Sequence, residues 1–156
     1  MPFYFSVTAS HTTSASAATQ TLASDTRGGA TGRAYSISRL IAGAKGAAQD
    51  NQTLWQAWKP TTVNTVGSAQ VAEKHDPSAP AAATTFQITP TVGVKGAFPD
   101  IQLPFNSRAM VQWVALNPDE ALLLAGVTTV TGNMAFYSEQ AAGVAVVIPY
   151  QITWYE

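Results

Sequence analysis

The sequence contains no cysteine. That excludes disulfide bridges, thiolate metal sites and cysteine nucleophiles together, and it suits a chain made in a reducing cytosol. Charge is scarce as well. Only 11% of the residues are Asp, Glu, Lys or Arg, against roughly 25% in an average soluble domain. Eight basic and nine acidic residues leave a net charge of −1, and no basic run is present to neutralise nucleic-acid phosphates. No stretch is long and apolar enough to span a bilayer. The opening "MPFYFSVTAS" lacks a charged start and a sustained apolar core, so a cleaved secretion signal is not expected. No internal repeat of solenoid or propeller length occurs.

What is present is one domain's worth of chain, 156 residues with 46% hydrophobic, enough for a single core. A monomer owes its solubility largely to a charged surface. The low charge therefore has two readings: much of the surface is buried in an assembly, or a Ser/Thr/Asn coat keeps a β protein in solution.

The clearest element is the closing "GVAVVIPYQITWYE". Val144, Val146, Ile148, Tyr150, Ile152 and Trp154 form one apolar face at period two, which predicts a long strand. Pro149 cannot donate to a ladder, so this strand is expected to be an edge or to bulge there, and an edge invites pairing with another chain. Strands are also predicted around Tyr35–Leu40, with a helix over Ile37–Ala48 as the competitor, and in "QTLWQAWK", "TTVNTVGSAQVA", "TTFQITPTVGV", "GAFPDIQLPF" and "AMVQWVAL". The last is apolar enough to read as buried. "GVTTVTGNMAFYSE" reads as strand, Gly-Asn turn, strand. In "LNPDEALLLAG", Asn117 fits an N-cap, Pro118 the first helical position, and Asp119 and Glu120 the acid-favouring first turn. The competing reading is a turn at Pro118–Glu120 followed by a strand at Ala121–Ala125.

Residues 6–33 are a run of Ser, Thr, Ala and Gly that can bury little alone. The expected organisation is an extended N-terminal arm over 1–32 and a β-domain over 33–156. The regular spacing of short strands predicts an all-β fold, an antiparallel β-sandwich of jelly-roll type with at most one short helix.

Residues suited to chemistry are few and scattered. His75 lies between Glu73 and Asp76 in "EKHDP", yet neighbours on one loop seldom converge on an ion without a further element; His11 lies in the arm. "RGGATGR" lacks the preceding strand and following helix of a phosphate loop and reads as a hinge, its Arg27 and Arg33 free to meet a neighbour's carboxylates. Acid pairs would have to come from Asp100, Asp119, Glu120 and Glu139, and no nucleophile elbow occurs. "NQT" at 51–53 has the form of a glycosylation acceptor, without a signal peptide to make it one. No enzyme activity, metal or cofactor is expected. Trp55, Trp58, Trp113 and Trp154 could form a sugar-stacking platform, though aromatic residues in strands more often fill a core or interface.

"AYSISRLIAGAKGAAQDNQTLWQAW", "IQLPFNSRAMVQWVAL" and "VVIPYQITWYE" resemble, in their pattern and order, strands of small jelly-roll structural proteins of bacteriophage particles. The resemblance implies a virion protein, of head-decoration or minor capsid type, that forms a homo-oligomer, typically a trimer, on a major capsid protein. Genome-packaging coats usually carry a basic arm; the arm here is neutral, so no direct nucleic-acid contact is expected, and no membrane partner. The candidate interface residues are Arg27, Arg33, Pro149, Trp154 and Tyr155, with Trp113 as a further aromatic anchor. A carbohydrate- or receptor-binding β-sandwich module is the alternative.

Overall fold

The structure is a computed structural model describing residues 2–16, 20–29, 32–43, 45, 52–65, 67–91, 94–106, 108–140 and 145–156. It is an all-β sandwich. Its strands are β1 (Tyr4–Thr12), β2 (Thr21–Arg27), β3 (Tyr35–Gly43), β4 (Gln52–Trp58), β5 (Ser68–Gln70), β6 (Glu73–Lys74), β7 (Thr85–Ile88), β8 (Ile101–Asn106), β9 (Met110–Val114), β10 (Leu122–Leu124), β11 (Asn133–Gln140) and β12 (Val147–Tyr155). One antiparallel sheet runs β10-β3-β12-β1-β6, with β9 beside β10 on β3; the other runs β5-β7-β2-β11-β4-β8. Apart from the β5–β7 insertion, the chain changes sheet at almost every connection, and its first and last long strands are neighbours.

Period-two patterning explains the core. Phe5, Val7, Ile37, Leu40, Ile148, Ile152 and Trp154 come from the first sheet; Trp55, Phe86, Ile101, Leu103, Phe105, Met134 and Phe136 come from the second. Tyr150 joins the layers, its ring 4.7 Å from Trp55 and 6.4 Å from Phe86. In β8, Ile101, Leu103 and Phe105 point inward while Gln102 and Pro104 are exposed. That proline is tolerated because β8 is an edge strand.

Several expectations change. The expected arm over 1–32 is, in its described residues, two paired strands: β1 pairs with β12 from Tyr4↔Tyr155 to Thr12↔Val147, and β2 lies between β7 and β11. Phe5, Val7, Leu22, Ala23, Ser24, Asp25 and Thr26 are buried, so partners supply the burial that the local sequence lacks. The 117–126 segment is a 3-10 turn at Pro118–Glu120 and then β10. Asn117 caps the turn, accepting from the Asp119 and Glu120 amides. Residues 127–129 are not strand; a second 3-10 turn at Val130–Gly132 leads into β11. Tyr35–Gly43 is strand, while Ala44, Gly46–Ala48, Asn51 of the glycosylation pattern and Val144 lie outside the described residues.

β12 is neither an edge nor bulged at Pro149. It pairs with β1 on one side and β3 on the other, and its register shift falls between Thr153 and Trp154. Backbone bonds between Phe3 and Glu156 and from Thr13 to Val146 put the even-numbered residues of β12 in hydrogen bonds with β1. Odd residues therefore face β3, as the Lys45 N–H to Val147 carbonyl bond of 2.8 Å confirms. Pro149 withholds a single donor there, opposite Gly43, and the flanking pairs keep one register.

The "RGGATGR" segment is packed at its start rather than hinged. Gly28 donates 2.8 Å to the Gly132 carbonyl. A Cβ would sit 2.5 Å from the Ala125 carbonyl oxygen at Gly28, and 1.9 Å from that of Val127 at Gly132. Only glycine permits this approach.

Candidate functional site

Of the five candidate interface residues, three are committed to their own chain. Arg27 Nε donates 3.0 Å to Asp25 Oδ2, and its Nη2 donates to the Asn64 carbonyl. Arg33 Nη2 lies 3.1 Å from both Glu156 Oε2 and the Ala81 carbonyl. The Glu156 carboxylate also accepts from the Ala83 and Thr84 amides at 2.9 and 2.8 Å; it clamps the chain end to 81–84, a role its position in the sequence did not signal. Trp154 is fully buried, its ring stacked 6.0 Å from Phe5. The remaining two, Pro149 and Tyr155, are half-buried on the outer face of the first sheet.

The tryptophans do not form a platform. Trp55 and Trp154 are core, Trp58 is buried beneath Lys95, and Trp113 packs partly against the core. Around Trp58, the outer face of the second sheet is covered. Leu22, Ala135 and Tyr137 form a small apolar cluster with it, Lys95 lies over the Trp58 and Tyr137 rings, and Gln20 donates to Gln56 and Glu139. Deeper in that sheet lies the Asp25–Arg27–Asn64 network, in which Asn64 Nδ2 donates 3.3 Å to Asp25 Oδ2. Burial pushes the Asp25 carboxyl above the ordinary carboxylate range; Arg27 and Asn64 oppose that shift.

Other titratable groups are similarly absorbed. His11 accepts or donates 2.8 Å to Thr21 Oγ1, and burial lowers its pKa. The Tyr35 hydroxyl donates to the Gly132 carbonyl at 2.7 Å, and its pKa is raised by burial. Burial pushes Tyr150 up to about 12. His75 stacks 6.4 Å from Tyr4, while Asp76 accepts from Ser78. Among the described residues no three His, Asp or Glu side chains converge as metal ligands.

Exposed apolar side chains fall in two places: in loops, at Val63, Val71, Val94 and Phe98, and along the free edge of the first sheet. Met110 is 69% exposed, Leu116 87% and Leu123 67%, with Tyr4, Val114 and Val147 partly open beside them. Arg39 supplies a charge there, and its Nη2 donates to Gln112. A half-open depression of about 170 Å³ lies between Tyr4, Tyr155, Leu116 and Asn117. Tyr4 and Tyr155 rings are 5.5 Å apart. The Asn117 and Ser38 side chains of this depression are engaged: Asn117 Oδ1 caps the 3-10 turn, its Nδ2 donates to Glu120, and Ser38 Oγ donates to the Thr153 carbonyl. Apolar groups cluster at the β9/β10 edge, while the β1 side of the same face is polar, with Thr8, Ser10 and Thr12 exposed. "AMVQWVAL", apolar enough to be expected as a buried strand, is instead the edge strand β9, exposed at Met110, Gln112 and Val114 and half-buried at Val111 and Trp113. That alternation was the available signal.

Comparison with protein-family models, curated proteins and solved structures gives no match.

Proposed function

We propose that this chain is a non-enzymatic virion structural protein, a capsid decoration or small capsid subunit that self-associates and reinforces a shell built by a major capsid protein. The observation that carries this reading is the weakly charged, apolar β9/β10 edge of the first sheet, with Met110, Val114, Leu116 and Leu123 exposed, in a chain with 11% charged residues. Surfaces of that kind serve contacts with other protein surfaces. The strand order supports a jelly-roll assignment: β1, β12, β3 and β9/β10 lie side by side in one sheet, and β2, β11, β4 and β8 in the other. Jelly rolls serve both capsid and lectin domains, so the site and not the fold decides between them. The expected localisation is the particle, after synthesis in the host cytoplasm. Mass spectrometry of density-purified particles from cells producing the chain is the test. Stoichiometric recovery with a capsid protein is expected; recovery only among soluble proteins overturns the reading.

A second reading rests on the Tyr4–Tyr155 depression, since exposed rings stack on sugars. It would make the chain a carbohydrate- or receptor-binding module. A glycan array with Tyr4→Ala and Tyr155→Ala variants tests it: saturable binding lost in both variants supports it, and no binding across the array removes it.

A further inference from the structure

We propose that β9 is a two-fold contact through which two copies of this chain join their first sheets edge to edge. This names the contact for the self-association in the reading above, but it rests on the geometry of the edge and stands or falls apart from any particle.

The Ala115 N–H donates 2.9 Å to the Ser38 carbonyl, and β9 pairs with β3 in the same register, Trp113 with Leu40 and Val111 with Ala42. Hydrogen-bonded positions alternate along an antiparallel ladder. Val111, Trp113 and Ala115 thus spend their backbone groups on β3, while the N–H and C=O of Met110, Gln112 and Val114 face the free side. Such an edge is complementary to itself when a second copy is rotated by a half-turn. With the axis at Gln112, Met110 of one copy meets Val114 of the other, and Gln112 meets Gln112. Every pair in that register is of the hydrogen-bonding type, and the facing side chains are apolar against apolar or amide against amide.

The other outer strands are poor alternatives. β5 and β10 are three residues long and β6 two, and β6 consists of Glu73 and Lys74. β8 carries Pro104 at an exposed position. The half of β1 beyond β6 exposes Thr8, Ser10 and Thr12. β9 has neither proline nor lysine, the residues that usually blunt an edge, and Leu116 and Leu123 extend its apolar rim. A two-fold contact gives an even-numbered assembly in place of the trimer that the phage resemblance implies.

The absence of native cysteine makes the register directly testable. Under mild oxidation Gln112→Cys should cross-link to itself, because hydrogen-bonded pairs hold their Cα atoms about 5.5 Å apart, within disulfide reach. Met110→Cys and Val114→Cys should each cross-link poorly alone and readily when mixed. Thr8→Cys is the control edge. Sedimentation of the unmodified chain in the micromolar range should give a dimer. The exposed Val114→Lys substitution should raise the dimer Kd about tenfold or more while near-ultraviolet circular dichroism stays unchanged; Gln112→Pro should do the same. A monomer or trimer in sedimentation, Gln112→Cys reacting no faster than Thr8→Cys, or a folded Val114→Lys dimer of unaltered affinity would each overturn the contact. A dimer absent from particles removes the virion reading and leaves this one; a monomer found in particles does the reverse.

Discussion

Asp25 lies fully buried on β2, with Oδ2 held by Arg27 and Asn64 and Oδ1 without a partner. Nearby in the same sheet, both amide atoms of Asn133 and the Tyr137 hydroxyl are buried without partners. Unpaired buried polar groups cost stability, so this region is held in place by the packing around it. The Asp25 carboxyl is raised above its ordinary 3.8, first by burial, with Arg27 pulling the other way. A raised acid binds its proton more readily folded than unfolded. Its contribution therefore favours the native state at low pH and declines as pH rises from the ordinary carboxylate range through the raised value. The stability difference between the native chain and Asp25→Asn, measured by urea unfolding across that range, should show this decline. Arg27→Ala should steepen it and destabilise the fold at neutral pH by about 3 kcal/mol, because a buried charge loses its partner. A flat difference would show that Asp25 is not electrostatically coupled to folding.

At the scale of elements, β1 and β12 form the longest ladder among the described residues. Phe5 and Val7 bring two buried side chains from β1 to the core, each worth roughly 1.5–3 kcal/mol, and Phe5 supports Trp154. Removing residues 1–13 strips one side of β12 as well. The truncated chain is expected to lose its cooperative thermal transition, read by far-ultraviolet circular dichroism; a free arm would leave that transition intact. The low-complexity composition misled because β2 gains its burial from β7 and β11 on either side, which no local window records.

At the scale of the whole molecule, scarcity of charge and an apolar sheet edge point to association driven by burial and backbone pairing. Such contacts are little screened by salt. Raising sodium chloride from about 0.05 M to about 0.5 M should change the dimer constant by less than about threefold. A much steeper fall in sedimentation would assign the contact to charged groups instead.

The sequence by itself determined the all-β class, the inward face of β12 from Ile148 to Trp154, and the Asn117 cap, since strand periodicity and capping chemistry are local. It also bounded the chemistry, through the absence of cysteine and the scarcity of histidine and charge. Tertiary structure decided the rest. It placed β12 inside its sheet despite Pro149, because a missing donor removes one bond from a ladder and the flanking pairs hold the register. It set Arg33 on Glu156 and closed the local Arg27–Asp25 pair of β2 with Asn64, partners that only the meeting of distant segments supplies. And it put "AMVQWVAL" at an edge, because strand order depends on which partners remain once every other strand has found its neighbours, and a single strand's pattern does not contain that information.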